Sequence, residues 1–140
     1  MLDKAKKLMM IDDNEVDLKI NAKLISLNKI FEDIIICKSG EEASDFLNAH
    51  LQTPENLPEF ILLDIQMPEM NGYEATQQIR MLETSKRIPI IALTAGTVVG
   101  EREKCLGAGM DDYLTKPVVK DTLHDTIRKW LFEKNEVEAY

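Results

Sequence analysis

Five times along this chain a short apolar run gives way to an amphipathic stretch, and four of the five runs stop at a polar residue with chemistry to offer. The runs are Leu8-Met9-Met10-Ile11, ending at Asp12 and Asp13; Ile34-Ile35-Ile36-Cys37; Phe60-Ile61-Leu62-Leu63, ending at Asp64; Ile88-Pro89-Ile90-Ile91-Ala92-Leu93, ending at Thr94; and the brief Tyr113-Leu114-Thr115, ending at Lys116-Pro117. Runs of this length without period-two alternation predict strands buried on both faces, as in a parallel sheet covered by helices on each side. Right-handed crossovers then give a doubly wound α/β layer.

The intervening stretches carry the helical period. Val16, Leu18, Ile20, Leu24, Ile25 and Leu27 recur at roughly helical spacing, and Gly40 opens a helix in which Ala43, Phe46 and Leu47 share a face. Pro54 and Pro58 mark a loop. A turn over residues 67–72 precedes a helix over 73–82; a short helix over 98–106 is closed by Gly107; a last helix carries Leu123, Ile127, Trp130 and Leu131. The length of 140 residues suits one domain, residues 1–140, with its core over about 7–131 and a polar tail over 134–140 that is expected to fray.

A net charge of −8 argues against a nucleic-acid-binding surface, which needs a basic stripe to displace counterions. Cys37 and Cys105 supply neither a disulfide framework nor a zinc site and read as core residues. No segment approaches the ~18 apolar residues of a membrane span, and the first ten residues lack a signal-peptide apolar region. The expectation is a cytoplasmic protein, or a cytoplasmic piece of a longer one, with no membrane contact.

In an open parallel sheet the C-terminal ends of the strands share one edge, where ligands bind at the switch in strand order. Asp12, Asp13, Asp64, Thr94 and Lys116 would therefore meet in one shallow pocket. Three carboxylates there repel one another unless a cation or proton intervenes, and a hard divalent ion such as Mg²⁺ suits oxygen ligands while keeping waters that phosphoryl oxygens can replace. Lys116 would hold another phosphoryl oxygen, Thr94 offers a hydroxyl donor, and Asp64 remains as a nucleophile for phosphoryl transfer. Taken singly, each residue has a plainer explanation. A strand-end Asp is usually a turn former, Asp-Asp before a helix is usually an N-cap pair in which Asp13 would serve in part, and Thr94 and Lys116 would be an ordinary cap and an ordinary surface lysine. Their joint placement favours the pocket.

With those positions in hand, Ile11-Asp12-Asp13-Asn14, Leu62-Leu63-Asp64-Ile65-Gln66-Met67-Pro68-Glu69-Met70-Asn71-Gly72, Ala92-Leu93-Thr94-Ala95 and Tyr113-Leu114-Thr115-Lys116-Pro117 closely resemble, in order and spacing, the receiver domain of two-component response regulators. The wording of residues 67–72 and 89–95 looks most like receivers attached to hybrid histidine kinases. The resemblance implies a flavodoxin-like five-stranded parallel sheet of order 2-1-3-4-5. It implies Asp64 as phosphoacceptor, with Asp12, Asp13, Asp64 and the backbone carbonyl of Gln66 as the Mg²⁺ (or Mn²⁺) site. Thr94 and Lys116 would be the switch hydroxyl and the phosphoryl-binding lysine, small Ala95 would leave the phosphoryl group accessible, and Tyr113 would take the rotameric aromatic position, although by itself it reads as a half-buried strand residue. Lys116-Pro117 would be cis, aiming the lysine inward, and the side chains of Gln66 and Gly96 would bear on autodephosphorylation.

The same resemblance implies a regulatory phosphoacceptor rather than an enzyme with a separate substrate. Its phosphodonor would be a sensor histidine kinase or a histidine phosphotransfer protein, and a homodimer or output partner would use the surface of the fourth helix, fifth strand and fifth helix. Two other functions can share such a sheet. A haloacid-dehalogenase-type phosphatase needs a second Asp two residues after the nucleophile, where Gln66 stands. A flavodoxin-like FMN carrier needs a phosphate loop rich in Ser, Thr and Gly after the first strand, where Asp12-Asp13-Asn14-Glu15 would repel phosphate.

Overall fold

The computed structural model describes residues 5–67, 70–82, 87–95 and 100–133. In chain order the elements are β1 (Ala5–Ile11), α1 (Glu15–Asn28), β2 (Phe31–Cys37), α2 (Gly40–Ala49), a 3₁₀ turn (Pro54–Asn56), β3 (Phe60–Asp64), α3 (Gly72–Leu82), β4 (Ile90–Thr94), α4 (Glu101–Ala108), β5 (Asp112–Thr115) and α5 (Lys120–Arg128), which runs on into a single π-helical turn (Lys129–Glu133). All strand pairs are parallel, in the order β2-β1-β3-β4-β5, as expected.

The pleat distributes the apolar runs between two cores. Met9, Ile11, Ile61, Leu63, Ile90 and Ala92 face one side, where α2, α3 and α4 cover them through Ala43, Leu47, Ala75, Ile79 and Cys105. Leu8, Met10, Phe60, Leu62, Ile91 and Leu93 face the other, beneath Leu18 and Ile25 of α1 and Leu123 and Ile127 of α5. Every residue of β3 and β4 is buried, which is why those two runs show no alternation.

Three details depart from what hydropathy alone suggests. The second run is not buried on both faces: β2 is an edge strand with β1 as its single neighbour, so Ile34 and Ile35 are half-buried and Ile36 is exposed. In α1, Leu18 and Ile25 reach the core, whereas Val16, Ile20 and Leu27 stand exposed on the outer surface. The fourth helix runs past Gly107 and stops at Gly109, whose φ of 107° suits glycine and whose N–H caps the carbonyls of Cys105 and Leu106. Its expected first residues (98–100 in part), the loop positions Pro68 and Glu69, Gly96 and the tail over 134–140 lie outside the described residues. No helix among the described residues is long and apolar enough to cross a membrane.

At the edge of the sheet opposite the strand C-termini, an ion-pair bracket fixes α3, β4 and the turn before β5. Arg80 donates to the carbonyls of Gly109 (2.9 Å) and Ile88 (2.7 Å) and to Asp111 Oδ2 (2.9 Å). Asp111 also accepts the Ile90 amide at 2.9 Å, and Arg87 reaches its other oxygen from solvent at 2.9 Å. With the Arg80 and Asp111 side chains only 14% and 10% exposed, removing one partner strands a buried charge. Asp111→Ala is expected to lower the unfolding free energy in urea by about 3 kcal/mol. Arg87→Ala, at a side chain 59% exposed, should cost less than about 1 kcal/mol; equal losses would show that the bracket is not what holds this edge.

Candidate functional site

The site forms where β1, β3, β4 and β5 end. β1 runs out at Ile11, and the Asp12 amide continues the ladder to the Cys37 carbonyl (3.1 Å), which points the Asp12 side chain inward, 2% exposed. Asp12 Oδ1 accepts the Asn14 amide at 2.9 Å, and Asn14 in turn is the N-cap of α1, its side chain accepting from the Asp17 amide at 3.0 Å. Asn14 thus does the capping expected in part of Asp13, and Asp13 is left exposed.

Asp64 ends β3 and is also buried. The chain then turns tightly around it: the Gln66 amide donates to Asp64 Oδ1 (3.2 Å), the Ile65 amide to the Leu93 carbonyl (3.1 Å), and the amides of Met67 and Gly72 to the Ile65 carbonyl. Gly72 makes this turn possible, since a Cβ there would lie 2.7 Å from Ile65 Cα and 2.8 Å from the Asp64 carbonyl oxygen. α3 can start against the backbone of the site only because that side chain is missing.

Thr94, buried, ends β4, with exposed Ala95 after it. The Thr94 carbonyl accepts the Lys116 amide at 2.7 Å, tying the end of β5 to the end of β4. The Lys116–Pro117 peptide is cis. Lys116 Nζ donates to Asp64 Oδ1 at 3.1 Å and to Asp17 Oδ2 at 3.2 Å, and lies 3.9 Å from Asp12 Oδ2. Tyr113 pairs in register with Ala92, is half-buried against the α2–α3–α4 core, and borders a cleft shared with Arg102, Cys105 and Leu106 of α4.

The electrostatics follow from this crowding. Burial pushes the Asp12 carboxyl up to about 6, with the neighbouring Asp64 charge adding to it; the Asn14 amide and Lys116 pull the other way without cancelling the rise. Burial pulls Lys116 down, but the charges of Asp64 and Asp12 and the hydrogen bonds to Asp64 and Asp17 outweigh it and hold the ammonium above its usual range. Asp12 Oδ2 is buried without a hydrogen-bond partner. One oxygen from each of Asp12, Asp13 and Asp64 falls within 4.8 Å of the others. An orphaned carboxylate oxygen among three crowded carboxylates suits a hard divalent cation, so the residues present fit one.

Asp12, Asp64, Thr94 and Lys116 are therefore brought together, with Asp13 at the rim and Tyr113 one strand layer away. Asp17 was not foreseen. An acid in the first turn of a helix reads as a partner of the helix dipole, and only the fold shows that its carboxylate meets a lysine 99 positions on.

A doubly wound parallel sheet with this carboxylate–lysine edge is the arrangement of the receiver class. The family model described as "Response regulator receiver domain" matches residues 8–128, and the chain belongs to that family. It is 36% identical over 127 residues to the signal transduction histidine-protein kinase BarA of Escherichia coli, a match covering 90% of this chain and 13% of BarA. It is 41% identical over 123 residues to hybrid signal transduction histidine kinase I of Dictyostelium discoideum, covering 86% of this chain and 7% of that kinase. The chain thus spans a small part of the curated kinases it matches. Among solved structures, the receiver domain of the Arabidopsis thaliana histidine kinase CKI1, complexed with Mg²⁺ and BeF₃⁻, superposes with a TM-score of 0.77 at 33% identity, covering 91% of this chain and 90% of that one. The receiver domain of the Saccharomyces cerevisiae response regulator Ssk1, crystallised with the histidine phosphotransfer protein Ypd1, gives a TM-score of 0.77 at 28% identity, covering 94% and 92%.

If Asp12 is destabilised by burial beside a like charge, neutralising it should strengthen the metal-free fold. Asp12→Asn keeps the acceptor for the Asn14 amide and is expected to raise stability in EDTA by roughly 1–2 kcal/mol. A loss of stability on urea unfolding at pH 7.5 would contradict the strain assigned to this residue.

Proposed function

We propose that this receiver takes a phosphoryl group from a phosphohistidine onto Asp64 and uses it to reshape the surface made by α4, β5 and α5. The observation that carries the reading is the placement of Lys116 Nζ 3.1 Å from the Asp64 carboxylate, at the rim of the three-carboxylate cluster. Asp64 attacks phosphorus in line with the imidazole; the O–P bond forms as the P–N bond breaks, leaving an acyl phosphate on Asp64 and a free histidine on the donor. Lys116 follows one phosphoryl oxygen as a point charge, and the Thr94 hydroxyl donates to another. Small, exposed Ala95 leaves room for the group.

Asp12, Asp13 and Asp64, with the backbone carbonyl of Gln66, would hold Mg²⁺ (or Mn²⁺), which neutralises charge on the phosphoryl oxygens when bound. Support comes from the orphaned Asp12 oxygen and from the CKI1 receiver, a relative crystallised with Mg²⁺ and BeF₃⁻. The donor would be a histidine kinase or a histidine phosphotransfer protein, a class with which the Ssk1 receiver was crystallised.

Signal output rests on a two-state element at the end of β4. Movement of Thr94 toward the phosphoryl group would free space for Tyr113, which lines a cleft with Arg102, Cys105 and Leu106, to turn inward. The Tyr73 hydroxyl of α3 donates to Glu101 in the first turn of α4, a tie that a shift of α4 would have to break or carry with it. The altered α4–β5–α5 surface would meet an output partner or a second copy. Residues 1–140 act in this reading as one receiver domain, a regulatory phosphoacceptor that assists its own phosphorylation and dephosphorylation, working in the cytoplasm.

Incubation with Mg²⁺ and acetyl phosphate, read by intact mass, is expected to add one phosphoryl group to wild type and none to Asp64→Asn. Omission of the divalent ion should abolish the adduct. Wild type that stays unmodified with acetyl phosphate and with a phosphorylated histidine phosphotransfer protein would refute the assignment.

A further inference from the structure

Resting on the reading of Asp64 as phosphoacceptor, we infer that Asp17 is a positioning residue that holds the Lys116 ammonium in place through phosphoryl transfer. Both ends of this contact are anchored. The Asp17 backbone is fixed by the Asn14 cap at 3.0 Å, and the Lys116 backbone by the hydrogen bond its amide donates to the Thr94 carbonyl at 2.7 Å. Between them Nζ sits almost evenly between Asp64 Oδ1 (3.1 Å) and Asp17 Oδ2 (3.2 Å), one acceptor supplied by β3 and the other by α1.

The two acceptors are not equivalent. Asp64 reacts: once it is phosphorylated its carboxylate charge is replaced by that of the phosphoryl group, and the lysine must transfer its hydrogen bond to the new phosphoryl oxygens. Asp17 does not react, so its charge and position are the same before and after. An ammonium has three N–H donors, so the bond to Asp17 takes nothing from Asp64 and still leaves a donor for an incoming oxygen. Lysine carries its charge on a flexible four-carbon stem, and a second fixed acceptor limits the directions that stem can take. The Asp17 side chain is 34% exposed, so water screens part of the attraction and the effect is moderate.

The ordinary role of an acid here, favouring the α1 dipole, predicts a small stability loss on substitution and nothing at Lys116. Two readouts separate the roles. Lysine ammonium ¹⁵N NMR of the metal-free protein, with the Lys116 signal identified by its loss in Lys116→Arg, is expected to show a slowly exchanging Nζ in wild type. Asp17→Ala should broaden that signal away, and Asp17→Asn, which keeps an acceptor and the helix, should retain it. Phosphorylation by acetyl phosphate with Mg²⁺ should slow by roughly three- to tenfold in Asp17→Ala and by less in Asp17→Asn.

Several results would overturn the inference: a wild-type Lys116 signal already in fast exchange, an Asp17→Ala signal unchanged from wild type, or a rate that is unchanged or faster. The last would make Asp17 a competitor for the lysine. If wild type takes no phosphoryl group at all, the phosphoacceptor reading fails, and the resonance alone then decides whether Asp17 holds the lysine.

Discussion

Asp12, Asp17 and Asp64 arrive at the site from two strand ends and a helix, and the ammonium of Lys116 lies 3.9, 3.2 and 3.1 Å from their oxygens. Two of those acids are buried almost completely, where ionised carboxylates are costly unless compensated. One ammonium cannot compensate three carboxylates, and the residue left short is Asp12, whose Oδ2 has no hydrogen-bond partner and whose carboxyl is pushed up to about 6. The site is therefore built with a deficit of positive charge. That deficit suits a hard divalent cation, which the oxygens of Asp12, Asp13 and Asp64 are close enough together to hold.

The remainder of the fold keeps this deficit from relaxing. Asp12 cannot swing out to water, because the ladder bond from its amide to Cys37 and the Asn14 amide on Oδ1 fix both backbone and side chain. Asp64 is held by a loop whose amides converge on Asp64 Oδ1 and the Ile65 carbonyl, and that loop closes only because Gly72 brings no Cβ. Lys116 is tied through its backbone to β4. Beneath them β3 and β4 are buried throughout, so the strand ends rest on close-packed core. At the far edge the Arg80–Asp111 bracket holds β4 and β5 in register from below.

Much of this was legible in the sequence, for identifiable reasons. β3 and β4 are central, so their burial on both faces left continuous apolar runs, and the polar residue ending each run could be placed on a common edge without knowing any contact. Position within the sheet is not written in hydropathy. Ile34-Ile35-Ile36 reads like a central strand yet forms an edge, and Val16, Ile20 and Leu27 share the helical period of α1 with Leu18 and Ile25 while facing away from the sheet. Gly107 and Gly109 are equivalent as sequence signals, and only the positive φ of Gly109 identifies the helix stop. Arg80–Asp111 and Lys116–Asp17 were invisible for another reason: long side chains meeting across 31 and 99 positions are consequences of topology, and each residue has an adequate local explanation.

The Asp17 contact shows what such a topological pairing adds to chemistry. In the proposed transfer, the site has to keep one flexible lysine in place while its principal partner, Asp64, changes charge and shape. Burying the lysine more deeply would do so at the expense of its charge, since desolvation already acts to lower its affinity for protons. Pairing it with a second acid that takes no part in the reaction holds it without that penalty. α1 is capped by Asn14, two residues after Asp12, so the helix that follows the first acid also delivers the acid that pairs with the lysine. The β1–α1 junction thereby bears on both the charge deficit of the pocket and the position of Lys116.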